Sequence, residues 1–236
     1  MTRLSIATTV ALVLSLVPAW SGDDPERAKL GESLFFDVNL SKDRTQACST
    51  CHAPDHAFTD PRETTAGRAA SLGDDGTSLG DRNAPTAAYA SFAPVFGRNA
   101  KGRWAGGQFH DGREPDLEGQ AGGPPLNPLE MGMPSKSAVV GRLRENPDYV
   151  SRFQKIFGKD VFADDERAYA AMTQAIAAFE RTPLFQPFDS KYDRALRGDI
   201  VLVRFRRAQL HGHVLHESFH LAKQRLGFLH RGFSLE

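Results

Sequence analysis

Both cysteines of this 236-residue chain fall within five residues, Cys48-Ser49-Thr50-Cys51-His52. The CxxCH spacing has a chemical reason. Two thiols an i,i+3 step apart on a short helical turn can add to the two vinyl groups of one haem, and the following His then aims its imidazole at the iron. Thioether links also retain a haem in a loose, loop-rich pocket. Competing uses of the pair are a disulfide or a CxxC redox couple. A redox couple is normally read beside a βαβ pattern, and none is visible in this sequence. The expectation is one covalent c-type haem, attached through Cys48 and Cys51, with His52 as the iron ligand. Two cysteines also exclude a disulfide-rich scaffold and any four-cysteine zinc or iron–sulfur site within the chain.

Composition removes other classes. There are 29 basic and 29 acidic side chains, so the excess of Lys and Arg that a nucleic-acid surface needs is missing. A mean hydropathy of −0.40 excludes a multispan membrane protein. With 21 Gly and 14 Pro, the chain reads as one loop-rich domain or two small ones.

Residues 1–22 read as a secretory signal peptide: Arg3, an apolar run from Ile6 to Val17, then Pro18-Ala19-Trp20-Ser21-Gly22. The apolar core is short for a membrane span, and a retained anchor is the alternative reading. The mature chain is expected to begin near Ser21–Asp24, without a membrane span, in the periplasm, where c-type haem is attached.

Helical periodicity marks four later segments. Asp24-Pro25-Glu26 starts a helix expected to end near Asp37, with Leu30, Leu34 and Phe35 on one face. Further helices are expected at Ser137–Glu145, at Pro147–Phe157 with Gly158 as its stop, and at Asp164–Arg181 with Ala168, Met172, Ala175, Ile176 and Phe179 in one stripe. Residues 53–135 read as long ordered loops with short helices, a length that makes sense if they wrap a haem. No segment alternates as a strand. The expected fold class is mainly α, a cytochrome c-like haem domain with long ordered loops over residues 23–199.

Several stretches then carry a resemblance. Leu30-Gly31-Glu32-Ser33-Leu34-Phe35-Phe36-Asp37 precedes the CxxCH. Ala57-Phe58-Thr59-Asp60, Arg82-Asn83-Ala84-Pro85-Thr86, Phe109-His110-Asp111-Gly112-Arg113 and Leu117-Glu118-Gly119-Gln120 follow it. Asn127-Pro128-Leu129-Glu130-Met131 and Ala175-Ile176-Ala177-Ala178-Phe179-Glu180-Arg181-Thr182 come next, then Phe188-Asp189 through Gly198-Asp199. In this order, over about residues 25–199, the sequence resembles the bacterial di-haem cytochrome c peroxidases and their MauG-like relatives.

The resemblance implies a peroxidatic haem with Gln120 and Glu130 over its distal face. Cleaving a peroxide O–O bond needs a group that takes a proton from the near oxygen and gives one to the leaving oxygen. A carboxyl whose pKa is raised by desolvation can do so near neutral pH; Gln120 would orient the peroxide. Asn83 matches a family residue that helps hold calcium, a hard cation suited to its carbonyl oxygen, and an Asn-Ala-Pro turn is the plain alternative. The implied function is a periplasmic haem peroxidase that reduces hydrogen peroxide with electrons from a small donor protein, a cytochrome c or a cupredoxin. Protein oxidation, as in the MauG-like branch, is left open. A single-haem electron carrier or haem-binding remnant is the alternative of a different class.

Three departures stand out. Between the CxxCH and Arg82 only His56 is available as a distal ligand, and it lies four residues from His52. An iron that needs no reductive activation is therefore expected. A position commonly held by a relay Trp is His110, read as a loop histidine or a pocket hydrogen-bonding group, while Trp104 lies in a Gly-rich insertion. Finally, no second CxxCH follows Asp199. Residues 200–236 instead hold five of the eight histidines, and the expectation is an out-of-frame or disordered tail on a longer native product. His216-Glu217-Ser218-Phe219-His220 within it spells HExxH, a zinc-protease signature only on a packed helix with a third ligand.

Overall fold

The computed structural model describes residues 24–199. The expected leader at residues 1–22 and the His-rich tail with its HExxH run lie outside the described residues.

Every α-helix but the short CxxCH turn begins where a side chain accepts from one of its free N–H groups. Helix α1 (Pro25–Phe35) is capped by Asp24, whose carboxylate accepts from the Glu26 amide at 3.0 Å. It stops two residues short of expectation because Asp37 caps a separate turn over Val38–Leu40. The CxxCH turn is α2 (Cys48–Cys51), and α3 (Leu117–Ala121) is capped by Asp116. Helix α4 (Lys136–Arg144) begins one residue early because Ser135 caps it, accepting from Ala138 at 3.1 Å. Helix α5 (Pro147–Phe157) matches its expected span and ends at Gly158, φ 99°. Helix α6 (Asp165–Glu180) is capped by Asp164.

Helix α6 is the centre of the packing, with α1, α3 and α4 against it. Leu30, Leu34 and Phe35 of α1, Val139, Val140 and Leu143 of α4, and Met172, Ala175 and Ile176 of α6 are all 0–1% exposed. Helix α1 reaches α6 through Gly31, where an added Cβ would overlap the main-chain oxygen of Ala175. Beside this contact Phe35, Phe179 and Phe185 meet edge to face, with ring centroids 5.1–5.5 Å apart, an arrangement favoured by the ring quadrupoles. The expected mainly-α class holds.

The long loops are ordered, as expected, with one correction. A two-stranded antiparallel ribbon joins β1 (Gly97–Arg98) and β2 (Trp104–Ala105). Two-residue strands are too short to show alternation, so the sequence pattern missed them. Asn99 closes the turn by accepting from the Lys101 and Arg103 amides. A buried carboxylate organises the rest. Asp74 accepts from the Ser41 hydroxyl at 2.7 Å and from the Asp43 and Thr45 amides, while its own amide donates to the Glu130 carbonyl at 2.7 Å. It thus ties the segment entering α2 to the loop that carries Glu130.

A second compact unit begins at Phe188. Its described part contains α7 (Lys191–Arg197), capped reciprocally by Ser190 and Asp193, with Arg194 and Arg197 both paired to Asp189. No helix among the described residues is long and apolar enough to cross a membrane.

Candidate haem site

Cys48, Cys51 and His52 line a cavity of about 300 Å³, and Asn83, His110, Gln120 and Glu130 line the same one. Residues up to 82 positions apart in sequence are therefore brought to one space. His56 is not among the lining residues; it is exposed on the turn Pro54–His56.

The attachment turn is fixed at both ends. The Thr50 hydroxyl accepts from the Ala47 amide at 2.9 Å, and the His52 amide bonds to the Cys48 carbonyl at 2.9 Å. The His52 ring places Nδ1 3.1 Å from the Phe58 carbonyl oxygen. A carbonyl only accepts, so Nδ1 carries the proton and Nε2 keeps its lone pair. Burial also pushes the His52 pKa down, favouring this neutral form. The two thiols are not joined to each other. Burial pushes Cys48 up to about 12 and Cys51 to about 11, although Arg62 sits 3.2 Å from the Cys51 sulfur. A redox pair needs a thiol that ionises readily, and these do not.

Gln120 rides on α3, which Glu118 clamps to the end of α6 through two bonds from Arg181, at 2.7 and 2.8 Å. Glu130 sits in a loop whose amides fold back on Asn127 and Pro124. Its carboxylate accepts from Asn127 Nδ2 at 2.9 Å. Burial and the nearby Asp81 push the Glu130 pKa up, against the opposing pull of Asn127 and Arg113. Arg113 is held by Asp111 at 3.0 and 3.1 Å and lies over the Phe109 ring at 3.7 Å.

Asn83 is exposed on the cavity rim, and its carbonyl bonds to His110 Nε2 at 3.1 Å. No cluster of three His, Cys, Asp or Glu side chains suited to a metal ion occurs among the described residues. Trp104 lies outside the cavity lining, 61% exposed and stacked on Phe96 at 5.1 Å. Sequence reasoning missed Glu180, which also lines the cavity. A signal existed: Glu180 falls four residues after Ile176 on the apolar stripe of α6, where a carboxylate is out of place.

These residues fit a haem. Two thiols not joined to each other and an imidazole whose Nδ1 is held by the Phe58 carbonyl face one cavity, the donor set of a c-type attachment site. A mostly helical domain built around such a turn is a cytochrome c-like haem domain. The chain belongs to the di-haem cytochrome c peroxidase family, whose model matches residues 25–200.

The methylamine utilization protein MauG of Paracoccus denitrificans is 51% identical over 205 residues, covering 84% of this chain and 52% of MauG. The cytochrome c peroxidase Ccp of Escherichia coli is 36% identical, covering 78% of this chain and 34% of Ccp. The crystal structure of the diheme peroxidase BthA from Burkholderia thailandensis superposes with a TM-score of 0.71 at 30% identity, covering 76% of this chain and 44% of BthA. The chain thus spans about half the length, or less, of these relatives.

Proposed function

We propose that this chain is the peroxidatic haem half of a periplasmic c-type haem peroxidase. It takes hydrogen peroxide as substrate and electrons from a small donor protein, a cytochrome c or a cupredoxin. The observation that carries this reading is a single cavity lined by the CxxCH turn together with Gln120 and Glu130.

Cys48 and Cys51 would hold one haem through thioethers, and His52 would ligate its iron through Nε2. The bound haem supplies the iron at which peroxide is reduced. Phe58 fixes the His52 ring by accepting from Nδ1, which sets the ligand's tautomer and its orientation. Glu130, in its ionised form, takes a proton from the near peroxide oxygen and returns it to the leaving oxygen as water forms. Its raised pKa makes both transfers accessible near neutral pH. Gln120, on a helix anchored by the Glu118–Arg181 pair, donates or accepts a hydrogen bond that orients the peroxide. Asn83, exposed on the cavity rim, would supply its side-chain oxygen as one ligand if a calcium ion binds there.

The test is rapid mixing of the haem-loaded chain with peroxide, followed by a reduced cytochrome c. Donor oxidation well above the rate of free haem supports a peroxidase. Reversible haem reduction without peroxide turnover would leave an electron carrier instead.

A further inference from the structure

Two carboxyl groups are buried among the described residues, Asp74 and Glu180, at 6% and 5% exposure. Their surroundings differ sharply. Asp74 accepts from two hydroxyls and two main-chain amides. The Glu180 carboxyl has no hydrogen bond and no ion pair among the described residues. The neighbouring cation, Arg181, is already committed to Glu118 by two short bonds. An uncompensated buried carboxylate is costly, so such a group either stays protonated or draws compensation from what it faces. Glu180 faces the cavity that also holds Cys48, Cys51 and His52.

We propose that Glu180 is a proton-carrying group of the haem cavity, taking up one proton when the iron is reduced and releasing it when the iron is reoxidised. This rests on the haem reading of the cavity and goes beyond the role of Glu130. Glu130 only moves a proton from one peroxide oxygen to the other. Complete reduction of hydrogen peroxide to two waters consumes two further protons along with two electrons. A group whose protonation follows the haem charge brings protons into the cavity with the electrons.

The electrostatics give the sign. The ferric haem core carries a net positive charge, which favours Glu180 as carboxylate. Adding one electron from the donor removes that charge, and the carboxylate binds one proton from solvent. Reduction that consumes a proton becomes harder as pH rises, so the midpoint potential falls. The groups facing Glu180 are Arg181 just past the end of α6, Glu118 on α3 and Cys48 on α2. Arg181 stays charged, Glu118 is ionised in its pair, and Cys48 as a thioether does not titrate. Helices α1 and α4 bury Leu30, Leu34, Phe35, Val139, Val140 and Leu143. Burial pushes the Glu180 carboxyl up to about 8, so the pH dependence is expected below about pH 8.

The experiment is an equilibrium redox titration of the haem-loaded full chain, following the Soret band between about pH 5 and pH 9. The wild type is expected to show a slope approaching 59 mV per pH unit, the one-electron equivalent of a tenfold change in proton activity. Glu180→Gln is expected to match the wild-type potential at the acid end and to stay nearly flat, so the gap widens with pH. Redox-difference infrared spectroscopy of the wild type provides a second measurement should the variant not fold. Reduction should produce a protonated-carboxyl band that shifts in heavy water. A flat wild-type potential, an unchanged slope in Glu180→Gln, or no carboxyl band would overturn the role of Glu180 while leaving the haem reading intact. A chain that takes up no haem would overturn both.

Discussion

The Nδ1 of His52 and the carbonyl oxygen of Phe58 lie 3.1 Å apart, and the fold goes to some length to hold that carbonyl. Phe58 has a left-handed backbone, φ 56°, which an L-residue adopts only when its surroundings fix it. Its amide bonds to Ala53, its carbonyl also accepts from Ala87, and its ring stacks on Phe185 at 4.1 Å. The His52 ring is therefore oriented through a chain that ends in the aromatic core around Phe35 and Phe179.

Removing the base of that chain should be expensive. Phe185 is 1% exposed and touches three other phenylalanine rings. Phe185→Ala is expected to lose about 3–5 kcal/mol of unfolding free energy, measured by denaturant titration of the haem-loaded chain. A loss below about 1 kcal/mol would show that Phe58 is held by other means.

Gly31 separates two opposed expectations. Helix propensity alone says that Ala in place of a mid-helix Gly stabilises by about 0.5–1 kcal/mol. The close approach of α1 to the Ala175 carbonyl says the opposite. Gly31→Ala is expected to destabilise by about 1–3 kcal/mol, because main chain cannot yield as a flexible side chain can. A rise in melting temperature would contradict the α1–α6 packing described above.

Asp74 carries a pH dependence whose sign is fixed. Burial pushes its pKa up, but the Ser41 and Thr45 hydroxyls and the Asp43 and Thr45 amides outweigh it, and the net shift is down. A depressed folded pKa gives stability that is present above the unfolded carboxyl value and lost as pH falls through the folded one. Asp74→Asn should cost about 1.5–3 kcal/mol at neutral pH, with the difference from wild type shrinking in acid. Equal unfolding curves at neutral pH would remove Asp74 as the tie between α2 and the Glu130 loop.

Glu130→Gln keeps the shape of the side chain but removes the base. The second-order rate with peroxide is expected to drop about 10²–10⁴-fold. In the wild type that rate should fall toward acid, through an apparent pKa above the ordinary carboxylate range, as burial and Asp81 require. The acid limb should vanish in Glu130→Gln. A variant with the wild-type rate and pH profile would take Glu130 out of the proton transfer.

Much of this architecture was legible in the sequence because its signals are local. The acidic cap at Asp24 and the apolar periodicity of the later segments set helix starts to within a residue, and Gly158 set a helix end. The CxxCH run announced the attachment chemistry in five residues. What escaped depends on contacts distant in sequence. The Phe58 carbonyl has no side-chain signature, the Asp74 hub joins segments 29–33 residues apart, and the β1–β2 ribbon is too short for periodicity. Glu180 was visible as a charge on an apolar stripe, but only the cavity gives that charge a purpose. His110, read chiefly as a loop histidine, is exposed and bonded to the Asn83 carbonyl, and also lines the cavity.

All of the proposed chemistry begins with thioether attachment, and denaturing mass spectrometry reads it directly. The chain would be produced with a c-type maturation system and unfolded in acid before measurement. One haem mass retained per polypeptide, lost in the Cys48→Ala, Cys51→Ala double variant, is the predicted result. A polypeptide at its bare mass with two free thiols, from material that shows no Soret band before unfolding, would contradict the account at its root.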